Sequence, residues 1–230
     1  MSRPPFNLAA VEHATVIAVE AGHPVLQTHY YGQTDKEHVE HLLAWLSPPV
    51  GATVIDAGSG IGEVSRLMSE MRTDLGFLLV NVSPLQLALG PHEDGERFCH
   101  LQADCHDLSG SVPDGFAEAI MYSSALCQMD APVALGEAFR VLKTGGVLLI
   151  NDMASLDGHL PEIEATLAAR VGHPDTLIEE VTQAGFAIDF VLHPEGSDAH
   201  FRAMLAEAGC EHMIDGIFPI VIRATKRGIL

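Results

Sequence analysis

The stretch VIDAGSGIGEVSRLM, residues 54–68, sets Asp56 ahead of three glycines, Gly58, Gly60 and Gly62, at every second position. Glycine carries no Cβ, so the backbone can come close to a ligand, and a helix opening just behind it attracts an anionic group. This is chemistry for gripping a nucleotide-like molecule, with Asp56 available to attract a cationic group or to organise the turn. Two common versions fail on spacing. The nicotinamide fingerprint G-x-G-x-x-G, begun at Gly58, meets Glu63 where its third glycine belongs, and no Gly-Lys-Ser/Thr follows to make a P-loop. A tight structural turn would use the same residues, so the segments downstream have to decide.

Other reactive side chains are less persuasive. His38 and His41 share a helix face in EHVEHLL. Zinc needs a third convergent ligand, and neither H-E-x-x-H nor a paired-cysteine spacing supplies one. They read as a solvated flank, and no metal is expected. The neighbours Cys99–His100 and Cys105–His106 point apart on extended chain.

Elements must hold these groups in place. From about residue 53 the chain alternates strand-like and helix-like segments. TVIDAG, GFLLVNVS, RFCHLQADCHDL, FAEAIMYSSA and GVLLINDMA read as five strands, FAIDFVLH and FPIVIRATKR as a sixth and seventh. GEVSRLMSEM, PLQLALG, PVALGEAFRVLK, DTLIEEVTQAG and AHFRAMLAEAG read as helices, the third stopped by Gly145 and Gly146. The pattern predicts an α/β fold: a doubly wound, mostly parallel, seven-stranded Rossmann-like sheet whose terminal pair admits an antiparallel edge. Residues 1–50 stand outside this rhythm. DKEHVEHLLAWL, with Val39, Leu42, Leu43 and Leu46 on its apolar stripe, marks them as an N-terminal helical lid over a domain of residues 51–230.

Composition limits the partners. With 47% hydrophobic and 19% charged residues, the 230-residue chain can bury a substantial core. A formal charge of −19 repels phosphate backbones and anionic lipid faces, which argues against nucleic-acid and membrane partners and leaves a small molecule as the default substrate. A homodimer stays open. Glu12 and Glu20 interrupt the N-terminal apolar stretch, so no signal peptide is expected, and four cysteines without a CxxC pair suit a reducing cytoplasm.

VIDAGSGIG, VNVSPLQLALG, QADCHDL and AFRVLKTGGVLLINDM, taken in order, resemble motifs of the class I S-adenosylmethionine-dependent methyltransferases. Within that family the likeness points to the small-molecule branch that includes C-methyltransferases of natural-product metabolism. The resemblance implies that Asp56, Gly58, Ser59, Gly60 and Gly62 cradle the methionine end of S-adenosyl-L-methionine. It implies that Asp104 accepts from the adenine amino group beside Cys105, and that Ser123 borders the same site. At the end of the second strand an acid often holds the ribose diol. Asn81 stands there, followed by Val82, Ser83 and Gln86. S-P-x-Q is also a capping-box pattern, and both roles fit.

The resemblance further implies that AIMYSSALCQMD is a substrate-facing wall, with Tyr122, Ser124, Cys127 and Gln128, and that THYYGQ is a lid carrying His29, Tyr30 and Tyr31. A free imidazole titrates near neutrality, so His29 is the candidate general base. Packing roles for Tyr30 and Tyr31 stay open. Prenyl-diphosphate C-methyltransferases, a similar group, tend to carry an acid where Ser124 stands here. The expected function is methyl transfer to a small metabolite, most readily at carbon. The rival is a cofactor-binding fold turned to a non-methylating reaction such as a cyclisation, or to service as a partner subunit.

Overall fold

The computed structural model describes residues 7–20, 31, 34–92, 96–158, 169–193 and 216–228. Seven strands form one sheet in the order β3-β2-β1-β4-β5-β7-β6. They are β1 Thr53–Ala57, β2 Gly76–Asn81, β3 Phe98–Gln102, β4 Ala117–Ser123, β5 Leu142–Ser155, β6 Phe186–Leu192 and β7 Ile217–Lys226. The first five run parallel, while β7 lies antiparallel between β5 and β6. The antiparallel element thus includes an interior strand.

The β-branched and apolar runs bury both faces of the sheet, as parallel strands require. Along β4, Ala119 and Met121 join one core, and Ile120 and Tyr122 the other. The first core receives α2 Asp35–Leu46, through Val39, Leu42 and Leu46, and α3 Glu63–Met71, through Val64, Leu67 and Met68. The second receives α5 Ala131–Val141, through Ala134, Leu135 and Ala138, and α6 Pro174–Gln183, through Val181. Each fully buried leucine contributes about 1.5–3 kcal/mol. Two further helices, α1 Leu8–Glu20 and the short α4 Pro84–Ala88, meet near the exit of β2. AHFRAMLAEAG falls outside the described residues.

Helix starts follow local chemistry. Thr34 caps α2 by accepting from the Glu37 N–H at 3.2 Å, and Ser83 caps α4 by accepting from Gln86 N–H at 3.0 Å, with Pro84 in the first turn. The reading of Gly145 and Gly146 as a helix stop is corrected. Helix α5 ends at Val141, Leu142 is already extended, and β5 runs through both glycines. They absorb a register shift between Ala117 and Ala119 on β4, where a Cβ on Gly146 would sit 2.8 Å from the Lys143 carbonyl oxygen. Strand pairing captured the segment one residue after the helix.

Candidate active site at the carboxyl ends of the strands

In an open α/β sheet, ligands gather beyond the carboxyl ends of the strands where the order reverses, here between β1 and β4. The glycine ladder leaves β1 at that point. Gly58 and Ser59 donate their N–H groups to the Val80 carbonyl at 2.9 and 3.1 Å, which pins the loop to the exit of β2. Gly58, Gly60 and Gly62 hold φ of 74°, 55° and 77°, values that disfavour any residue with a Cβ. A Cβ on Gly58 would lie 2.7 Å from Ala125 Cβ, whereas one on Gly60 would meet nothing within 4 Å. Gly58 is therefore held by packing, and Gly60 faces open space. Behind the ladder, α3 begins at Gly62 without a side-chain cap, so its first N–H groups can take a carboxylate.

Asp56 is buried beneath this loop and accepts from Ser65 Oγ at 2.6 Å. Burial pushes its carboxyl up to about 6, and the Ser65 hydrogen bond pulls partly the other way. A cation entering here would favour the ionised form further.

Asn81 closes the other side of the loop. Its Nδ2 donates to the Gly60 carbonyl at 3.1 Å and to Gln86 Oε1 at 2.9 Å, while its Oδ1 accepts from Ser83 N–H at 3.0 Å. A carboxylate could not make the two donations, so an amide is the residue type this geometry requires. Val82 is half-buried between these partners. Ser83 Oγ donates to Glu12 Oε1 at 2.6 Å, and Gln86 Nε2 donates to Thr15 Oγ1 at 2.8 Å, which seats α1 on α4.

Asp104, exposed beyond β3, accepts from His106 N–H at 3.0 Å and lies 2.5 Å from His106 Nδ1. Because His106 Nε2 accepts from Asp130 N–H at 2.8 Å, the neutral ring carries its proton on Nδ1 and donates it to Asp104. Cys105 is buried beside the ladder, and burial pushes its thiol up to about 12, which makes it an inert wall.

The substrate-facing side differs from expectation. Tyr122 is 1% exposed, and its hydroxyl donates to the Ala134 carbonyl at 3.1 Å under α5. Strand alternation turns it into the core, so its placement on the substrate wall is corrected. Ser123 and Ser124 do stand at the exit of β4. Ser124 adopts φ of 53°, strained for a serine, and donates its N–H to the Asn151 carbonyl at 2.7 Å. Asn151 Nδ2 donates to Ser123 Oγ at 3.2 Å, and its Oδ1 accepts from Tyr31 Oη at 2.8 Å. Tyr31 is buried against Trp45 and His38, with ring centroids 4.8 and 5.3 Å away. His38 is therefore core, which corrects its reading as solvated, while His41 is exposed and stacks on Trp45.

Gln128 is half-buried at the end of a short 3-10 turn, Leu126–Gln128. His29 and Tyr30 fall outside the described residues. Among the described residues no three His, Cys, Asp or Glu side chains converge on a metal position.

Four polar residues of this region escaped sequence reasoning. Glu12 and Thr15 lie in an otherwise weakly patterned helix. Asn151 and Asp152 end the apolar run GVLLI, and two buried polar side chains after such a run are the signal that could have found them. Asp152 accepts from Cys127 N–H at 2.8 Å, and burial raises its carboxyl.

Comparison with known proteins agrees with this geometry. Residues 55–150 match the methyltransferase domain model. The malonyl-acyl-carrier-protein O-methyltransferase of Pectobacterium atrosepticum is 29% identical over 58% of this chain and 50% of its own length. The 2-methyl-6-phytyl-1,4-hydroquinone methyltransferase of Synechocystis is 33% identical over 47% of this chain and 34% of its own. The chain thus spans half or less of the length of these two curated relatives. Among solved structures, the 4+2 cyclase SpnF superposes with a TM-score of 0.79 at 17% identity, covering 95% of this chain and 94% of SpnF. Geranyl diphosphate C-methyltransferase from Streptomyces coelicolor superposes with a TM-score of 0.73 at 14% identity, covering 82% and 78%. The domain match and the sheet order converge: residues 55–150 resemble a methyltransferase domain built on an open α/β sheet.

Proposed function

We propose that this protein transfers the methyl group of S-adenosylmethionine to a carbon atom of a small metabolite, such as a prenyl diphosphate or another natural-product intermediate. The observation that carries the reading is the glycine ladder at the end of β1, where buried Asp56 leads and a Cβ on Gly60 would meet only open space. When bound, the cofactor supplies an electrophilic methyl on a positively charged sulfur.

The chain's own work is placement. The N–H groups opening α3 take the carboxylate of the amino-acid end, and Asp56 favours its ammonium. Asp104, held by His106, remains a partner for the adenine edge. Ser123 and Ser124 offer hydroxyl groups to a substrate entering at the exit of β4, buried Asn151 holds both from behind, and Gln128 extends that rim. Residues 1–50 act as the lid: Tyr31 anchors it to Asn151, and His29 is the candidate general base. Enclosure aligns the nucleophile with the methyl and excludes water. Strong negative charge favours a cationic cofactor and a small-molecule partner in the cytoplasm.

Carbon is preferred because the N-x-S-P-x-Q segment and the aromatic lid resemble the C-methylating branch, and a C-methyltransferase is among the fold neighbours. A second reading has one observation in its favour: SpnF, a cyclase, matches nearly the whole chain in fold. The test incubates the protein with methyl-labelled cofactor and a panel of geranyl diphosphate, a malonyl thioester and a prenylated hydroquinone. Label on a substrate carbon is the expected result. Label on oxygen would move the site of transfer, and tight cofactor binding with no labelled product would favour the cyclase-like reading.

A further inference from the structure

We infer that Glu12, carried on α1, is the acid that holds the ribose diol of the cofactor, in place of an acid at the end of β2. The inference rests on the S-adenosylmethionine reading of the site and assigns a residue to one part of it.

The end of β2 cannot supply that acid. Both amide hydrogens of Asn81 are committed, to the Gly60 carbonyl and to Gln86 Oε1, and its oxygen already accepts from Ser83 N–H. An aspartate here would face the Gly60 carbonyl oxygen with negative charge and open the loop it now closes. Yet a carboxylate does reach this corner, from 69 positions earlier in the chain (81 less 12). Ser83 Oγ donates to Glu12 Oε1 at 2.6 Å, two residues past Asn81. Glu12 is half-buried, and its Oε2 takes no hydrogen-bond partner among the described residues.

The rotation of α1 is fixed independently. Thr15 lies three residues after Glu12 and so shares its helix face. It is 2% exposed, donates to the Val11 carbonyl at 2.9 Å and accepts from Gln86 Nε2 at 2.8 Å. With Thr15 locked on Gln86, and Gln86 locked on Asn81, which itself bonds the Gly60 carbonyl, Glu12 is held against Ser83 at the corner where β2 ends. A carboxylate accepting from two hydroxyls binds a diol more strongly than an amide does.

The test is calorimetry on the full chain with S-adenosylhomocysteine and its 2′-deoxy counterpart, for the native protein and Glu12→Gln. The glutamine retains an oxygen to accept from Ser83, so α1 should stay seated, which hydrogen exchange over residues 8–20 checks. The native protein is expected to prefer the ribose form by about 10- to 100-fold, the range of a charge-assisted hydrogen bond. Glu12→Gln should lose that preference with exchange over α1 unchanged. A variant that keeps the preference overturns the assignment. So does a preference lost only together with exchange protection of α1, since that outcome makes Glu12 a structural staple. If the native protein binds neither compound, the cofactor reading itself has failed, and the assignment goes with it.

Discussion

The two sides of the site are built from different materials. On the β1–β2 side, backbone does most of the holding: three glycines with positive φ, two N–H groups on one carbonyl, and an uncapped helix start. On the β4–β5 side, side chains from distant segments do it, with Tyr31, Ser123 and Asn151 linked in a row across 120 residues of sequence. A backbone-built cradle suits a ligand that does not change. A wall of side chains can be respecified by a few substitutions, which is how one fold comes to serve many substrates.

The largest contrast should come from within the ladder. Gly58→Ala adds a methyl 2.7 Å from Ala125 to a residue already in a left-handed conformation, so stability should fall by about 3 kcal/mol or more. Gly60→Ala has open space around its Cβ, so urea unfolding should show only the backbone cost, about 1 kcal/mol, while cofactor affinity drops at least tenfold. Equal stability losses would erase the distinction between a packed and a ligand-facing glycine.

The next test uses pH. The folded value of Asp56, about 6, is above its ordinary 3.8, so the folded protein holds the proton more tightly. Its contribution to stability without cofactor should therefore be most favourable below about pH 4, fall as pH rises through 6, and level off at a loss of no more than ~3 kcal/mol. Cofactor affinity should move oppositely over the same window, because the ammonium needs the ionised acid. Titrations at pH 5 and pH 8 on the native protein and Asp56→Asn check both slopes, and the variant should flatten them.

The smallest effect sharpens the substrate side. Tyr122→Phe should cost about 1 kcal/mol of stability, through the hydrogen bond to Ala134, and leave turnover of any identified substrate unchanged. Tyr31→Phe should cost a similar amount yet reduce turnover severalfold, since it loosens the lid from Asn151. If Tyr122→Phe lowered turnover as much as Tyr31→Phe, the correction made for Tyr122 would itself need correcting.

This division also explains what could be read in advance. The ladder, the alternation of strand and helix segments and the S-P-x-Q cap are local patterns, and each is decided by residues within a few positions of one another. Asp56 was legible because it leads the glycines. Tyr122 was misplaced because the end of a strand was read as a wall without asking which face each residue takes. Gly145 and Gly146 were read as a helix stop because their local preference was visible, whereas their pairing with β4 was not. Glu12, Thr15 and Asn151 depend on contacts 28 to 120 residues away, and no periodicity reports such partners.

The position of β7 has a consequence for how the protein is made. Strand β6 emerges from the ribosome first, but its partner in the sheet, β7, is synthesised some 30 residues later and must slide in beside β5. Until it does, β5 presents a bare hydrogen-bonding edge to the crowded cell, and β6 has no strand to join. The nascent chain can thus complete the ladder side early, but it seals the opposite flank only after Lys226 has left the exit tunnel. A translational pause in that interval would expose an edge able to pair with a neighbouring copy.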